Sequence, residues 1–90
     1  MNKVIEITLK PDNWEKVNNE RFAYKQRVDH PEIRDIPCYV SLSDETPNDK
    51  VEEIERVILS GNVITSDGYI TFNTNSTYHE DIHIILIFKD

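Results

Sequence analysis

Asp81-Ile82-His83-Ile84-Ile85-Leu86-Ile87-Phe88 is the stretch whose reading decides the fold. Six of its eight residues are large and apolar, and four of those are isoleucine. In an extended chain, Ile82, Ile84, Leu86 and Phe88 point one way while His83, Ile85 and Ile87 point the other. A strand that is oily on both sides belongs in the middle of a sheet, covered on both faces. The remaining segments are expected to pack around it.

Working outward, the next-clearest segment is Lys3–Leu9, which alternates: Ile5, Ile7 and Leu9 share one face, and Val4 joins Glu6 and Thr8 on the other. It reads as a strand with one apolar face, ended by Pro11-Asp12-Asn13. Trp14, the single tryptophan, is expected to close one end of the core with its indole N–H bonded to a loop carbonyl. Glu15–Glu20 reads as a polar loop. Phe22–Val28 alternates again, with Phe22, Tyr24, Gln26 and Val28 opposite Ala23, Lys25 and Arg27. His30–Pro37, bounded by prolines, is an irregular connection. Cys38–Ser43 forms a third strand, with Cys38, Val40 and Leu42 on one side and Tyr39 on the other.

Thr46-Pro47-Asn48-Asp49 carries a helix-start signature: a capping hydroxyl, a proline suited to the first position and an acid near the positive end of the dipole. Val51, Ile54, Val57 and Ile58 recur at helical spacing, with Glu52, Glu53, Glu55 and Arg56 opposite them. Gly61 is the expected stop, giving a helix of about 13 residues. Val63-Ile64-Thr65 then leads through the hairpin turn Asp67-Gly68 into Tyr69–Phe72, and Asn73–Thr77 is a polar turn before the final strand. The expected fold is α+β and mostly antiparallel: a β-sandwich-like arrangement in the order β-β-β-α-β-β-β with one amphipathic helix.

Ninety residues fit a single domain spanning residues 1–90, near the lower size limit for folding without staples. Acidic residues outnumber basic ones 17 to 10, for a net charge of −7. That balance argues against nucleic acid or an anionic membrane as partner. A lone cysteine, Cys38, builds neither an intrachain disulfide nor a cysteine zinc site. The start Met1–Glu6 has no apolar signal region, and no stretch approaches the ~20 apolar residues of a membrane helix. The expectation is a soluble protein made in a reducing cytoplasm.

Two sets of residues invite a catalytic reading. His79-Glu80-Asp81-Ile82-His83 matches the H-E-x-x-H pattern of zinc proteases. That chemistry needs a helix to bring residues four apart onto one metal; in a strand the two histidines lie roughly 13 Å apart. Thr77-x-x-Glu80 resembles a capping box, but the β-branched run after His83 favours a strand. Cys38 with His30 and Asp35 is a conceivable nucleophilic set, set against the commoner role of a free cysteine as a small buried hydrophobe. Two glycines, in turn and cap positions, do not make a phosphate-cradling loop. Neither a catalytic centre nor a cofactor or metal site is expected.

The order of motifs resembles a small β-rich module of tailed-phage structural proteins, including head-fibre, tail-fibre and baseplate components. The matching segments are Ile7-Thr8-Leu9 through Asn13-Trp14, Tyr39-Val40-Ser41 through Pro47, Gly61-Asn62-Val63, the Gly-x-Ile-Thr-Phe strand Gly68–Phe72, and Asp81–Ile84. They span nearly all of the chain. The resemblance implies a non-enzymatic virion subunit acting through protein–protein contacts: a decoration, head-fibre or tail-associated protein. It would self-associate, for instance as a trimer, or dock on a larger phage structural protein. Tyr24, Tyr39 and Tyr69 are the expected partner-binding residues. The alternative is a small acidic phage-encoded inhibitor whose carboxylates occupy a basic cleft of a host defence protein.

Overall fold

The computed structural model describes residues 2–17 and 19–89. Asn18, within the stretch read as a loop, lies outside the described residues, as do Met1 and Asp90. In chain order the elements are β1 (Asn2–Leu9), a 3-10 turn (Pro11–Asn13), β2 (Glu15–Lys16), β3 (Tyr24–Asp29), β4 (Cys38–Leu42), α1 (Val51–Ile58), β5 (Asn62–Ser66), β6 (Tyr69–Thr74) and β7 (Ile82–Lys89). The strands form two sheets, ordered β1-β7-β4 and β2-β3-β6-β5. Every pairing is antiparallel.

The C-terminal strand takes the central place in its sheet. β7 pairs along its whole length with β1, Asn2 opposite Lys89 through Leu9 opposite Ile82, and with β4 from Cys38 opposite Phe88 to Leu42 opposite Ile84. Ile82, Ile84, Leu86 and Phe88 point inward and are buried, beside Ile5, Ile7 and Leu9 of β1. The second sheet sends Ile70 and Phe72 of β6 into the same cluster, and α1 adds Ile54, Val57 and Ile58. Ile33, in the irregular connection between β3 and β4, is fully buried and joins them.

Four features depart from the sequence reading. First, β7 is covered on one face only: His83, Ile85 and Ile87 on its other face are half-buried, and no described layer lies over them. Second, Glu15 and Lys16 leave the loop to pair with Lys25 and Tyr24 of β3, which makes a short extra strand.

Third, the helix is shorter than 13 residues, spanning eight. Pro47 opens a separate turn, closed by the Lys50 N–H donating to the Pro47 carbonyl, and Thr46 is buried rather than serving as a side-chain cap. Fourth, the indole N–H of Trp14 is buried with no hydrogen-bond partner among the described residues. The ring's packing against the core supports its position without that bond.

Both glycines have definite jobs. Gly68 sits in the Asp67-Gly68 hairpin turn at φ +89°, a conformation that favours glycine, while Asp67 keeps a negative φ. Gly61 is not a left-handed cap. Its Cα passes so close to β6 that an added Cβ would lie 1.9 Å from the Asn73 carbonyl oxygen, so the exit from α1 onto β5 depends on the missing side chain.

The core predicts its own sensitivity. Ile84→Ala and Leu86→Ala should each cost roughly 2–5 kcal/mol in denaturant unfolding, as for other emptied aliphatic sites. Glu52→Ala and Glu55→Ala, on the wet face of α1, should stay within about 0.5 kcal/mol. Four equal losses would contradict the inward assignment of β7. Gly61→Ala should destabilise by roughly 1–3 kcal/mol because backbone must move to admit one methyl; an unchanged unfolding midpoint would show that the approach to Asn73 is not tight.

Candidate functional site

The outward face of the β1-β7-β4 sheet is read directly from its register. One cross-strand row is Val4–Ile87–Tyr39, and the next is Glu6–Ile85–Ser41. Beyond them lies Thr8–His83, where the Ser43 N–H donates to the His83 carbonyl; at the other end, Asn2 faces Lys89. Val4 is 59% exposed and Tyr39 60% exposed, so the first row is an apolar band open to solvent. Ile36, 39% exposed, extends it, and a groove runs between Ile36, Pro37, Tyr39, Ile87 and Lys89. The Lys89 ammonium lies 5.2 Å from the centre of the Tyr39 ring, in cation–π range.

The outward face of the other sheet has a different character. Lys25 pairs with Glu15 at 3.8 Å and Arg27 with Asp29 at 2.8 Å. The Arg27 guanidinium also stacks 3.8 Å from the centre of the Tyr69 ring. The Asn73 amide donates to the Asn62 side-chain oxygen at 2.9 Å. Its charged groups are paired within the face, and Ile64, 50% exposed, stands beside them opposite Thr71.

These placements separate the three tyrosines expected to bind a partner. Tyr24 shares the inward parity of Gln26 and Val28, Tyr69 lies on the outward face of the β2-β3-β6-β5 sheet, and Tyr39 lies on the outward face of the β1-β7-β4 sheet. Three tyrosines do not make one surface. The sequence already carried the separation of Tyr24, which alternates in step with Phe22 and Val28. Val4, Ile85 and Ile87 escape sequence reasoning, which places a layer over their face; the signal is Val4, an apolar residue amid the polar parity of β1.

The residues considered for chemistry are placed as follows. Through His79–His83 the chain makes a bend and then enters β7, so the helical spacing that lets two histidines share a metal is not formed. His83 Nδ1 instead lies 3.3 Å from the Thr8 hydroxyl, and the Tyr78 and His79 rings meet at a tilt of 47° with centres 4.7 Å apart. His30 Nδ1 accepts from the Glu32 N–H at 3.1 Å, and the Asp35 N–H donates to Asp67, so these two serve the loop between β3 and β4. Cys38 faces the core side of β4, and burial pushes its thiol above the ordinary value. A nucleophilic cysteine needs the opposite shift.

No family model, no curated protein and no solved structure matches this chain.

The Cys38 shift has a measurable consequence. A raised pKa lowers the thiolate fraction at neutral pH, so alkylation by iodoacetamide should run several-fold slower in the folded protein than in denaturant. A folded-state rate equal to or above the denatured one would identify an activated thiol.

Proposed function

We propose that this chain is a non-enzymatic virion protein of a tailed phage, a decoration, head-fibre or tail-associated subunit, made in the host cytoplasm and working through protein–protein contacts. The observation that carries the interaction part is the open apolar row Val4–Ile87–Tyr39, contiguous across all three strands of its sheet, whereas on the other sheet Ile64 stands exposed among paired charges. An apolar band left open on a small domain is a common mark of a contact surface. The virion part rests on the order of motifs that resembles phage structural modules. A subunit of this kind needs no catalytic group, and its net charge of −7 suits solubility before assembly.

A second reading is favoured by one observation. Asp44, Glu45, Asp49, Glu52, Glu53 and Glu55 are all exposed, and Lys50 and Arg56 are the only basic residues among and beside them. Such a patch suits an acidic inhibitor that occupies a basic cleft. The sheet face and the helix face thus carry the two readings separately.

The test is mass spectrometry of purified particles from cells producing the chain. The virion reading expects it at fixed stoichiometry to known structural proteins, and lost when Ile87→Glu places a charge in the apolar row of a still-folded protein. Absence from particles, with retained binding to a basic partner that Glu52→Lys/Glu53→Lys abolishes, would replace it with the inhibitor reading.

A further inference from the structure

We infer that the β1-β7-β4 face pairs with the same face of a second copy across a two-fold axis lying along the Val4–Ile87–Tyr39 row. This rests on the reading of that face as an interface and names its occupant.

The argument is the distribution of charge along the strands. Lys89 stands one row to one side of the apolar band, and Glu6 stands one row to the other side. Both are exposed, and neither forms an ion pair among the described residues. A two-fold axis in the plane of contact, perpendicular to the strands and centred on the band, exchanges those two rows. Val4, Ile87 and Tyr39 then meet their own copies, as a self-complementary contact requires. Lys89 of each chain comes to lie over the Glu6–Ile85 row of the other, with Glu6 one strand spacing away, within reach of a long ammonium side chain.

The contact thus carries two equivalent Lys–Glu pairs, one at each side of an apolar centre. A foreign partner would have to supply that pattern; a second copy already has it. The other sheet cannot do the same, because its cations already face carboxylates of their own chain.

Size sets the strength. Two strands of eight residues and one of five, about 4.8 Å apart, present on the order of 350 Å² of flat face. Two such faces bury less than a standard specific interface, the size of a weak, transient contact. With a net charge of −7 on each chain opposing approach, the dimer should dissociate in the micromolar range or above.

Light scattering or sedimentation across a concentration series tests this, with circular dichroism confirming that each variant is folded. The wild-type mass should rise from one chain toward two. Lys89→Glu and Glu6→Lys should each hold the protein at one chain, with at least tenfold weaker association, since each sets like charges opposite one another twice. An equimolar mixture of the two variants should regain the two-chain mass, because each contact between position 89 of one chain and position 6 of the other again joins an acid to a base.

A strictly monomeric wild type up to millimolar concentration would overturn the inference. So would a three-chain mass, or association indifferent to both charge reversals. Those failures leave the proposed interface intact if Ile87→Glu still removes the chain from particles. Loss of both results would end that reading as well.

Discussion

The fold depends on the double pairing of β7. One strand supplies eight register pairs to β1 and five to β4, and its inward residues Ile82, Ile84, Leu86 and Phe88 supply much of the buried apolar surface. Because side chains alternate with a period of two, a one-residue slip against either neighbour would turn all four outward. The register is therefore fixed by burial on one face, and the position of every outward residue follows from it. Val4, Ile87 and Tyr39 share a row because Ile5, Leu86 and Val40 share the row beneath them.

The second sheet is held to the first by polar as well as apolar contacts. Gln26, almost fully buried on β3, accepts from the Lys10 N–H at 2.8 Å and donates to the Lys10 carbonyl at 3.0 Å, immediately beyond the end of β1. The buried Gln26 amide is thus satisfied as donor and as acceptor by the backbone of a residue that has left its strand, which is the condition for burying it. On the opposite side, the Thr65 hydroxyl donates to the Ile36 carbonyl at 2.9 Å, linking β5 to the entry of β4. Together with α1 and the buried Ile33, these links close a small core between two sheets that share no strand.

The sequence was most legible where one periodicity had no competitor. The alternation in β1 and β3, the helical spacing of Val51, Ile54, Val57 and Ile58, and the Asp67-Gly68 turn all appear in the fold. It was least legible where the outcome depended on neighbours in space. Glu15 and Lys16 carry no strand signal of their own and become β2 only because Lys25 and Tyr24 lie alongside. The Pro47 start signal belongs to a turn that precedes the helix. Gly61 looked like a cap, but its role is contact with a backbone oxygen twelve residues further on. Tyr24, Tyr39 and Tyr69 could be assigned strand by strand, yet which strands shared a sheet was not written in any local pattern.

The same distinction explains why the outward face of β7 was misread and why it is informative. An apolar pair such as Ile85 and Ile87 has two physical explanations: a second layer of the same chain, or a surface completed by another molecule. Periodicity cannot separate them, because both ask for the same residues. In the structure the described elements are all engaged elsewhere: α1 on the inner core, the β3–β4 connection around Ile33, and β2-β3-β6-β5 on the opposite side. No described segment remains to cover the second face of β7. The strand thus has the composition of a doubly buried one in a sheet that the described residues bury on one side, and that mismatch is what sets β7 apart from the other strands.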